Sequence, residues 1–215
     1  MTARMLRIDP QQPETAILAR AAELLRRGLL VVYPTETFYG LACDPRQAKA
    51  VERIFEAQGR PERMALPLIA GDRDAVRLCA PAVPDHAQRL MEAFWPGPLT
   101  LVLLAGDDLP SRLLGGGHTV GVRVSSHPVA AALARAAGGP IVATSANRSG
   151  APPPSTAVEA LEALGDTVSL ILDGGPTQGG NSSTVLDLTV DPPRLIRSGA
   201  IPAGALETVL GRRLG

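Results

Sequence analysis

The chain contains few of the residues that form metal centres or catalytic nucleophiles. Its 215 residues include two cysteines and three histidines, and neither set has the spacing of metal ligands. We interpret Cys43 and Cys79 as buried or free thiols of a reducing compartment, not as a disulfide. The sequence shows no Ser-His-Asp order, nucleophile elbow or Cys-His pair. An enzyme of this composition is therefore expected to act by positioning and electrostatic stabilisation, without a protein nucleophile.

An excess of one charge and long apolar segments are also missing. The 21 basic and 21 acidic residues balance, so net charge favours neither a nucleic acid nor a membrane partner. A balanced total does not exclude a local basic cleft. No apolar run reaches the length of a transmembrane helix, and the first residues lack the apolar segment of a signal peptide. We therefore expect a cytoplasmic protein with no membrane partner.

Aromatic residues are scarce, and half of them cluster. The chain has one Trp, two Tyr and three Phe, and three of these lie in the segment Tyr33–Gly40. The segment follows the apolar run Leu29–Val32, which predicts a buried strand that ends at Pro34. Open α/β sheets bind ligands at the carboxyl ends of such strands, so the polar residues after Pro34 form a candidate site. The start of a capped helix is the alternative interpretation.

Helical and strand-like apolar patterns mix along the whole chain. Helical spacing predicts helices at 13–27, 47–57, 73–79, 85–94, 128–137, 155–164 and 203–210. Continuous or alternating apolar runs predict strands at 29–33, 66–70, 99–105, 119–124, 140–143, 168–172, 183–190 and 194–197. Some neighbouring strands lack an intervening helix. The pattern therefore predicts a single α/β domain in which helices cover a sheet of parallel and antiparallel strands.

Two further loops place small polar groups after predicted strands. Thr144–Gly150 contains Ser145 and Asn147, whose side chains can bind phosphate oxygens or a hydrated cation, or can stabilise a turn. Asp173–Thr184 is rich in glycine, which lets backbone amides approach an anion, but such a loop can equally be a hairpin connection. It matches neither a Walker A loop nor a dinucleotide fingerprint.

Arginines are candidate anion ligands, because the guanidinium offers a planar fork of donors. The candidates are Arg60, Arg63, Arg123 and Arg197. Arg123 is the most informative, since it lies in an apolar, alternating strand where an unpaired charge is costly to bury. A solvated or ion-paired surface residue is the alternative for each of them.

An ordered set of segments between residues 15 and 205 resembles the YrdC-like family of threonylcarbamoyl-AMP synthases. The segments are Tyr33–Leu41, Gly59–Pro61, Trp95–Thr100, Gly121–Val124, Thr144–Gly150, Ser182–Val185 and Arg197–Ile201. The resemblance implies a single YrdC-like domain over residues 8–211, an α/β fold with an open, twisted, mixed parallel and antiparallel sheet flanked by helices, and a large concave cavity with a positive lining.

The resemblance also implies an activity. The family condenses L-threonine, bicarbonate or CO2 and ATP into threonylcarbamoyl-adenylate and releases pyrophosphate. Partner proteins then transfer the threonylcarbamoyl group to the adenosine beside the anticodon of tRNA. The implied class is a nucleotidyltransferase with Mg2+ as cofactor. Weak RNA binding by the chain itself is a further expectation, to which the balanced charge lends no support.

Site residues follow from the matching motifs. Threonine binding is implied for Thr35, Arg123 and Ser183. Catalytic roles are implied for Arg60, Ser145 and Asn147. These three would also bind nucleotide, together with Gln58, Thr119 and Arg197. Mg2+ is expected to be held mainly through the ATP phosphates, near Ser145 and Asn147.

Two positions depart from the family pattern. The family usually has Lys where this chain has Gln58, and loss of that cation should weaken phosphate binding or adenylate formation unless another group, such as Arg63, compensates. The family also often has His after its Pro-Leu strand, where this chain continues with Pro67–Gly71. The chain ends after its last predicted helix, as expected for the short, single-domain type.

Gln58 motivates an alternative function. A YrdC-like paralogue could keep the cavity and bind nucleotide or RNA without efficient synthesis. A carbamoyl-transfer domain of hydrogenase maturation is a third interpretation. It is disfavoured because such domains sit in larger chains with acylphosphatase and zinc-finger segments, which are not found in this sequence.

Overall fold

Helices and strands alternate through residues 3–60, 64–180 and 182–215, the part of the chain that this computed structural model describes. The α-helices are α1 (Thr15–Arg26), α2 (Ala48–Gln58), α3 (Asp85–Phe94), α4 (Pro128–Ala137), α5 (Ala157–Leu164) and α6 (Ala203–Leu210), and a 3-10 helix spans Asp74–Leu78. The strands are β1 (Arg4–Arg7), β2 (Val31–Tyr33), β3 (Gly40–Ala42), β4 (Leu68–Ala70), β5 (Leu99–Leu104), β6 (Thr119–Val124), β7 (Ile141–Val142), β8 (Thr144–Ser145), β9 (Leu170–Asp173), β10 (Thr184–Asp187) and β11 (Arg194–Arg197). Every predicted helix and strand has a counterpart here, with the helix at 73–79 present as the 3-10 helix.

The strands form two sheets, and each sheet mixes parallel with antiparallel pairs. One sheet has the order β1-β9-β2-β3-β8 and the other the order β11-β10-β5-β6-β4-β7. In the first, β9 lies parallel to β1 and β2, whereas β3 runs antiparallel to β2 and β8. In the second, β10 lies parallel to β5, and β6 runs antiparallel to β5. The predicted single-domain α/β fold with mixed strands is confirmed, and its strands are divided between two sheets.

Three strands escape the apolar pattern of the sequence. β1, β3 and β8 have only two to four residues each and contain arginine, glycine or hydroxyl side chains. Their extended shape comes from pairing with neighbours. Gly40 and Leu41 of β3, for example, pair with Ser145 and Thr144 of β8. Strand formation here depends on tertiary contacts, which a short local pattern does not encode.

Alternation along β5 and β6 separates the core from the opposite face of the six-stranded sheet. Side chains on successive strand residues point to opposite faces. One face packs into the larger core cluster with Leu99, Leu101, Leu103, Val120, Val122 and Val124. The other face carries Thr100, Val102, Thr119, Gly121 and Arg123, which line a cavity. The sequence pattern thus sets which residues can meet a ligand.

Helices α1 and α4 build a second core cluster. Leu18 and Leu25 of α1 and Leu133 of α4 are buried together with Val31 and Leu170 from the five-stranded sheet. Together with Ala21 of α1 and Val129 of α4, they recur every three to four residues, which places the apolar side chains on one face of each helix. This packing anchors β2, and β2 leads directly into the polar segment after Pro34.

Candidate active site

A cavity of about 580 Å3 is lined by residues of both sheets. This volume lies within the range of about 300–1,000 Å3 that is typical of small-molecule sites. The five-stranded sheet contributes residues of β2, β3 and β8, and the six-stranded sheet contributes residues of β5, β6, β10 and β11. The segment after Pro34, the Thr144–Asn147 segment and Ser183 therefore share one cavity.

The lining of this cavity is cationic. Arg60, Arg123 and Arg197 line it, and no aspartate or glutamate does so among the residues that the structure describes. Focused positive charge in a cleft attracts anions. Apolar and hydroxyl side chains make up most of the remaining lining, including Thr35, Thr100 and Val102. The cavity is suited to an anionic ligand that also has apolar or hydroxyl-bearing parts.

Arg60 follows directly on the end of α2. Gly59 adopts a left-handed φ of 59°, and the Arg60 backbone N–H returns to Phe55 O at 3.1 Å, which ends the helix. The guanidinium Nη1 donates to Thr144 Oγ1 at 2.8 Å. Its Nε is buried and has no hydrogen-bond partner among the described residues. Burial lowers the pKa of Arg60, but an arginine keeps its charge in proteins. Arg60 therefore has donor capacity left for a ligand.

Arg197 and Ser183 form a second polar group across β10 and β11. Arg197 Nη2 donates to Ser183 O at 2.8 Å and to Ser183 Oγ at 3.0 Å. Ser183 Oγ and Thr100 Oγ1 are 2.9 Å apart. Gly199 permits this close approach of the two strands, since a Cβ there would lie 2.3 Å from Ser182 O. Burial and the nearby charge of Arg123 lower the pKa of Arg197.

Arg123 has a carboxylate partner outside the cavity lining. Arg123 is 8% exposed, and its Nη1 forms an ion pair with Glu36 Oε1. Ser125 Oγ donates to the other oxygen, Glu36 Oε2. The cost of burying the guanidinium is thus offset by an acid that comes from the Tyr33–Gly40 segment. Arg123 also lines the cavity, so it is placed to meet a ligand as well.

Thr35 holds the turn after β2. Its Oγ1 donates to Phe38 O at 2.6 Å and accepts from the backbone N–H groups of Thr37 and Phe38 at 3.2 and 3.3 Å. A hydroxyl in this arrangement stabilises a tight turn. Thr35 also lines the cavity. The alternative interpretation of this segment as the start of a capped helix is wrong, because the turn leads into β3.

Ser145 ends β8, and Asn147 follows it two residues later. Asn147 is 8% exposed, and its Nδ2 donates to Arg148 O at 2.8 Å and to Ala151 O at 2.7 Å. These bonds fix the amide, and Oδ1 is left buried without a partner among the described residues. Asn147 and Ser145 both line the cavity, and a fixed neutral amide oxygen suits a hydrated cation or a phosphate-bound water.

Gln58 lies behind this segment. It is 4% exposed and is absent from the described lining of the cavity. Its Nε2 donates to Ser145 O at 2.8 Å and to Asn147 O at 2.9 Å. The structure therefore brings Thr35, Arg60, Thr119, Arg123, Ser145, Asn147, Ser183 and Arg197 together around one cavity and places Gln58 outside its lining. Arg63, the predicted substitute cation, lies outside the described residues.

Three functional contacts were not predicted from the sequence. Glu36 was noted only as a polar group, but it pairs with Arg123. Thr100 meets Ser183, and its position on the face of β5 opposite the core leucines could have indicated this. The Tyr39 hydroxyl donates to Gly175 O at 2.6 Å and accepts from Gly174 N–H at 3.2 Å, which ties the glycine-rich loop to β3. Burial raises the pKa of Tyr39, so the hydroxyl stays protonated as a donor.

Comparison with known proteins identifies the family of this chain. The family model for Sua5, YciO and YrdC proteins, described as telomere recombination, matches residues 23–199. The chain belongs to the Sua5/YciO/YrdC family. The predicted family resemblance is therefore confirmed.

Relatives within the family carry a specific name. Threonylcarbamoyl-AMP synthase of Pyrococcus abyssi is 42% identical over 191 residues, which are 89% of this chain and 56% of the relative. The enzyme of the same name from Bacillus subtilis is 42% identical over 204 residues, 94% of this chain and 57% of the relative. The crystal structure of P. abyssi Sua5 complexed with L-threonine superposes with a TM-score of 0.92 at 39% identity, over 98% of this chain and 62% of that one. The chain spans less than two thirds of the length of these relatives.

The described ranges were compared with the requirements of a membrane-spanning helix and of a metal site built from acidic, His or Cys side chains. No helix there is long and apolar enough to cross a membrane. No group of three or more His, Cys, Asp or Glu side chains in those ranges is placed to hold a metal ion.

Proposed function

We propose that this protein is a threonylcarbamoyl-AMP synthase, a nucleotidyltransferase that condenses L-threonine, bicarbonate or CO2 and ATP and releases pyrophosphate. The cationic cavity carries the proposal. Three arginines surround it without a carboxylate in its described lining, as a triphosphate and an amino-acid carboxylate would require. The family relatives named threonylcarbamoyl-AMP synthase and the threonine-bound P. abyssi Sua5 support it.

The proposed chemistry needs alignment more than it needs a protein nucleophile. The amino group of threonine first takes up CO2 to give a carbamate. A carbamate oxygen then attacks the α-phosphorus of ATP, the bond to the bridging oxygen breaks, and pyrophosphate leaves with its electron pair. In this proposal Arg123, Thr35 and Ser183 hold threonine, whereas Arg60 and Arg197 hold the phosphates. Fixed cations of this kind stabilise the developing charge without reorganisation.

Mg2+ fits the residues present in one specific way. Asn147 Oδ1 is fixed and has no partner among the described residues, and Asn147 and Ser145 both line the cavity. Mg2+ commonly binds few protein oxygens and takes the rest from phosphates and water. When bound, it would neutralise charge on the leaving pyrophosphate. Ser145 and Asn147 would orient its water ligands, and the nucleotide phosphates would supply its remaining contacts.

The wider role in tRNA modification is part of the proposal. The product is a reactive mixed anhydride, so partner proteins that transfer the threonylcarbamoyl group to tRNA would have to consume it. A cytoplasmic location follows from that role. Direct RNA binding by this chain would have to use local basic surface, because its net charge is zero.

A nucleotide-binding paralogue without efficient synthesis is the second candidate. The observation that favours it is Gln58, which supplies no cation to the cavity. Under this alternative, calorimetry would detect ATP binding, while pyrophosphate release would stay at the background rate with all substrates present.

The test is pyrophosphate release in the presence of ATP, L-threonine, bicarbonate and Mg2+, with each component omitted in turn. We expect release that depends on all of the substrates. Arg60→Ala should lower the rate by about 100-fold or more, because it removes a preorganised cation. Equal release with and without threonine would contradict the proposal.

A further inference from the structure

We infer that Gln58 is a positioning residue that fixes the segment carrying Ser145 and Asn147, and that it does not itself bind phosphate. The inference deepens the proposed function and rests on it for its kinetic readout. The family resemblance implied that position 58 binds nucleotide. We assign Gln58 a positioning role instead, which depends on the hydrogen bonds that the glutamine makes.

The contacts of Gln58 all point to one segment. Its side-chain Nε2 donates to Ser145 O and Asn147 O, and its backbone oxygen accepts from Ser149 N–H at 2.7 Å. Three hydrogen bonds thus join Gln58, the last residue of α2, to the stretch 145–149. The residue is 4% exposed, so water competes little for these bonds.

The donor capacity of Gln58 is already used. A glutamine amide has two N–H donors, and each faces a backbone carbonyl here. The remaining polar atom, Oε1, is an acceptor and is buried without a partner among the described residues. A phosphate oxygen also accepts hydrogen bonds, so it would find no donor on this side chain. Gln58 therefore connects α2 to the segment that carries Ser145 and Asn147, and its side chain does not contact the ligand.

The same segment is held on its opposite side by β3. Gly40 pairs with Ser145, and Ala146 N–H donates to Tyr39 O at 2.9 Å. The segment thus begins in β8, the edge strand of the five-stranded sheet, and Gln58 ties it to the end of α2. Ser145 and Asn147 are the residues proposed to orient the water ligands of Mg2+ at the phosphates, and a displacement of about 1 Å at such groups can cost about 100-fold in rate.

Two variants of the full chain test the inference. Gln58→Met keeps the approximate size of the side chain and removes both donors. Gln58→Lys restores donors that can reach the same carbonyls. Three quantities are measured for each: kcat for adenylate formation, the Kd of Mg·ATP by calorimetry, and backbone hydrogen exchange of the segment 144–149. Gln88→Met is the matched control, because Gln88 donates to Val83 O on the exposed side of α3.

We expect Gln58→Met to lower kcat at least about tenfold and to speed exchange across 144–149, with the ATP Kd changed less than about threefold. Gln58→Lys should recover most of the kcat and of the slow exchange, at a similar ATP Kd. Gln88→Met should match the wild type. Two results would overturn the inference: wild-type kcat and exchange in Gln58→Met, or an ATP Kd at least tenfold tighter in Gln58→Lys, which would place position 58 at the phosphates.

The readouts separate this inference from the proposed function. If the wild-type protein forms no adenylate, the proposed function fails, and the exchange and ATP-binding measurements still decide the role of Gln58. If Gln58→Met does not fold, comparison of the wild type with Gln58→Lys decides it. A protected segment with an unchanged ATP Kd supports positioning, and tighter ATP binding contradicts it.

Discussion

Arg123 and Glu36 show how a single charged pair can connect the fold to the site. The guanidinium is buried on β6, and Glu36 reaches it from the segment after β2, 87 residues earlier in the chain. Ser125 occupies the second carboxylate oxygen, so Glu36 is held in place. A substrate carboxylate at Arg123 would approach a guanidinium whose orientation is already fixed, which lowers the entropic cost of binding.

Removing the charge of Glu36 should therefore affect both stability and threonine binding. Glu36→Gln leaves Arg123 buried without its anion, and we expect a loss of about 1–3 kcal/mol in the free energy of unfolding. The KM for threonine should rise at least about tenfold, whereas the KM for ATP should change less. Denaturant unfolding and steady-state kinetics measure the two effects.

Glu52→Gln is the matched control for this prediction. Glu52 is exposed on α2, and we expect the same chemical change there to alter neither quantity. A larger rise in the KM for ATP than for threonine in Glu36→Gln would show that Arg123 serves the nucleotide instead.

Sequence alone could identify Arg123 but not its partner. An arginine within an apolar, alternating strand indicates a buried charge, and this much follows from the local pattern. The identity of Glu36 as its partner depends on how β2 and β6 are brought together across two sheets. Gln58 is a similar case: its place at the end of α2 was predictable, but its contacts with Ser145 and Asn147 span 87 and 89 residues.

At the scale of elements, strand alternation was the most informative signal. In β6 the even-numbered residues are core and the odd-numbered residues line the cavity, and both sets follow from a period of two. Helix ends were nearly as clear where glycine or proline marks them. β3 and β8 were missed, because two or three residues with glycine or hydroxyl side chains carry no strand pattern of their own.

The start of α5 gives a prediction at this scale. Thr156 and Glu159 form a capping box, in which Thr156 Oγ1 accepts from Glu159 N–H and the Glu159 carboxylate accepts from Thr156 N–H. Hydrogen bonds from the Ser155 backbone N–H and hydroxyl, together with those from Thr156, lower the pKa of Glu159 from its ordinary value of 4.5. A lowered pKa stabilises the fold above 4.5, and this contribution is lost as the pH falls through the folded-state pKa.

Glu159→Gln should therefore reduce the acid sensitivity of the fold. Glutamine keeps a capping oxygen but does not titrate. The melting temperature of the variant should therefore fall less steeply with acidification below about pH 4.5 than that of the wild type. Thermal melts across that pH range measure the difference. Glu162→Gln on the same helix is the control. An equally steep fall of the melting temperature with pH in Glu159→Gln and in the wild type would contradict the assigned role of the capping box.

At the scale of the whole molecule, the cavity depends on the division of the strands into two sheets. The sequence pattern predicted mixed strands and a single α/β domain, and the family resemblance predicted the concave, positive cavity. Neither the number of sheets nor the strand order follows from local patterns, because both are set by long-range pairing such as that of β1 with β9. The domain boundaries of 8–211 stay a prediction.

The three arginines around this cavity are proposed to serve the synthesis of a threonylcarbamoyl-adenylate. The most direct measurement is mass spectrometry of the nucleotide product after incubation of the protein with ATP, L-threonine, Mg2+ and 13C-bicarbonate. We expect an adenylate that contains threonine and one 13C atom, formed in step with pyrophosphate. An unlabelled nucleotide product, or bound ATP that remains unchanged with all substrates present, would contradict it.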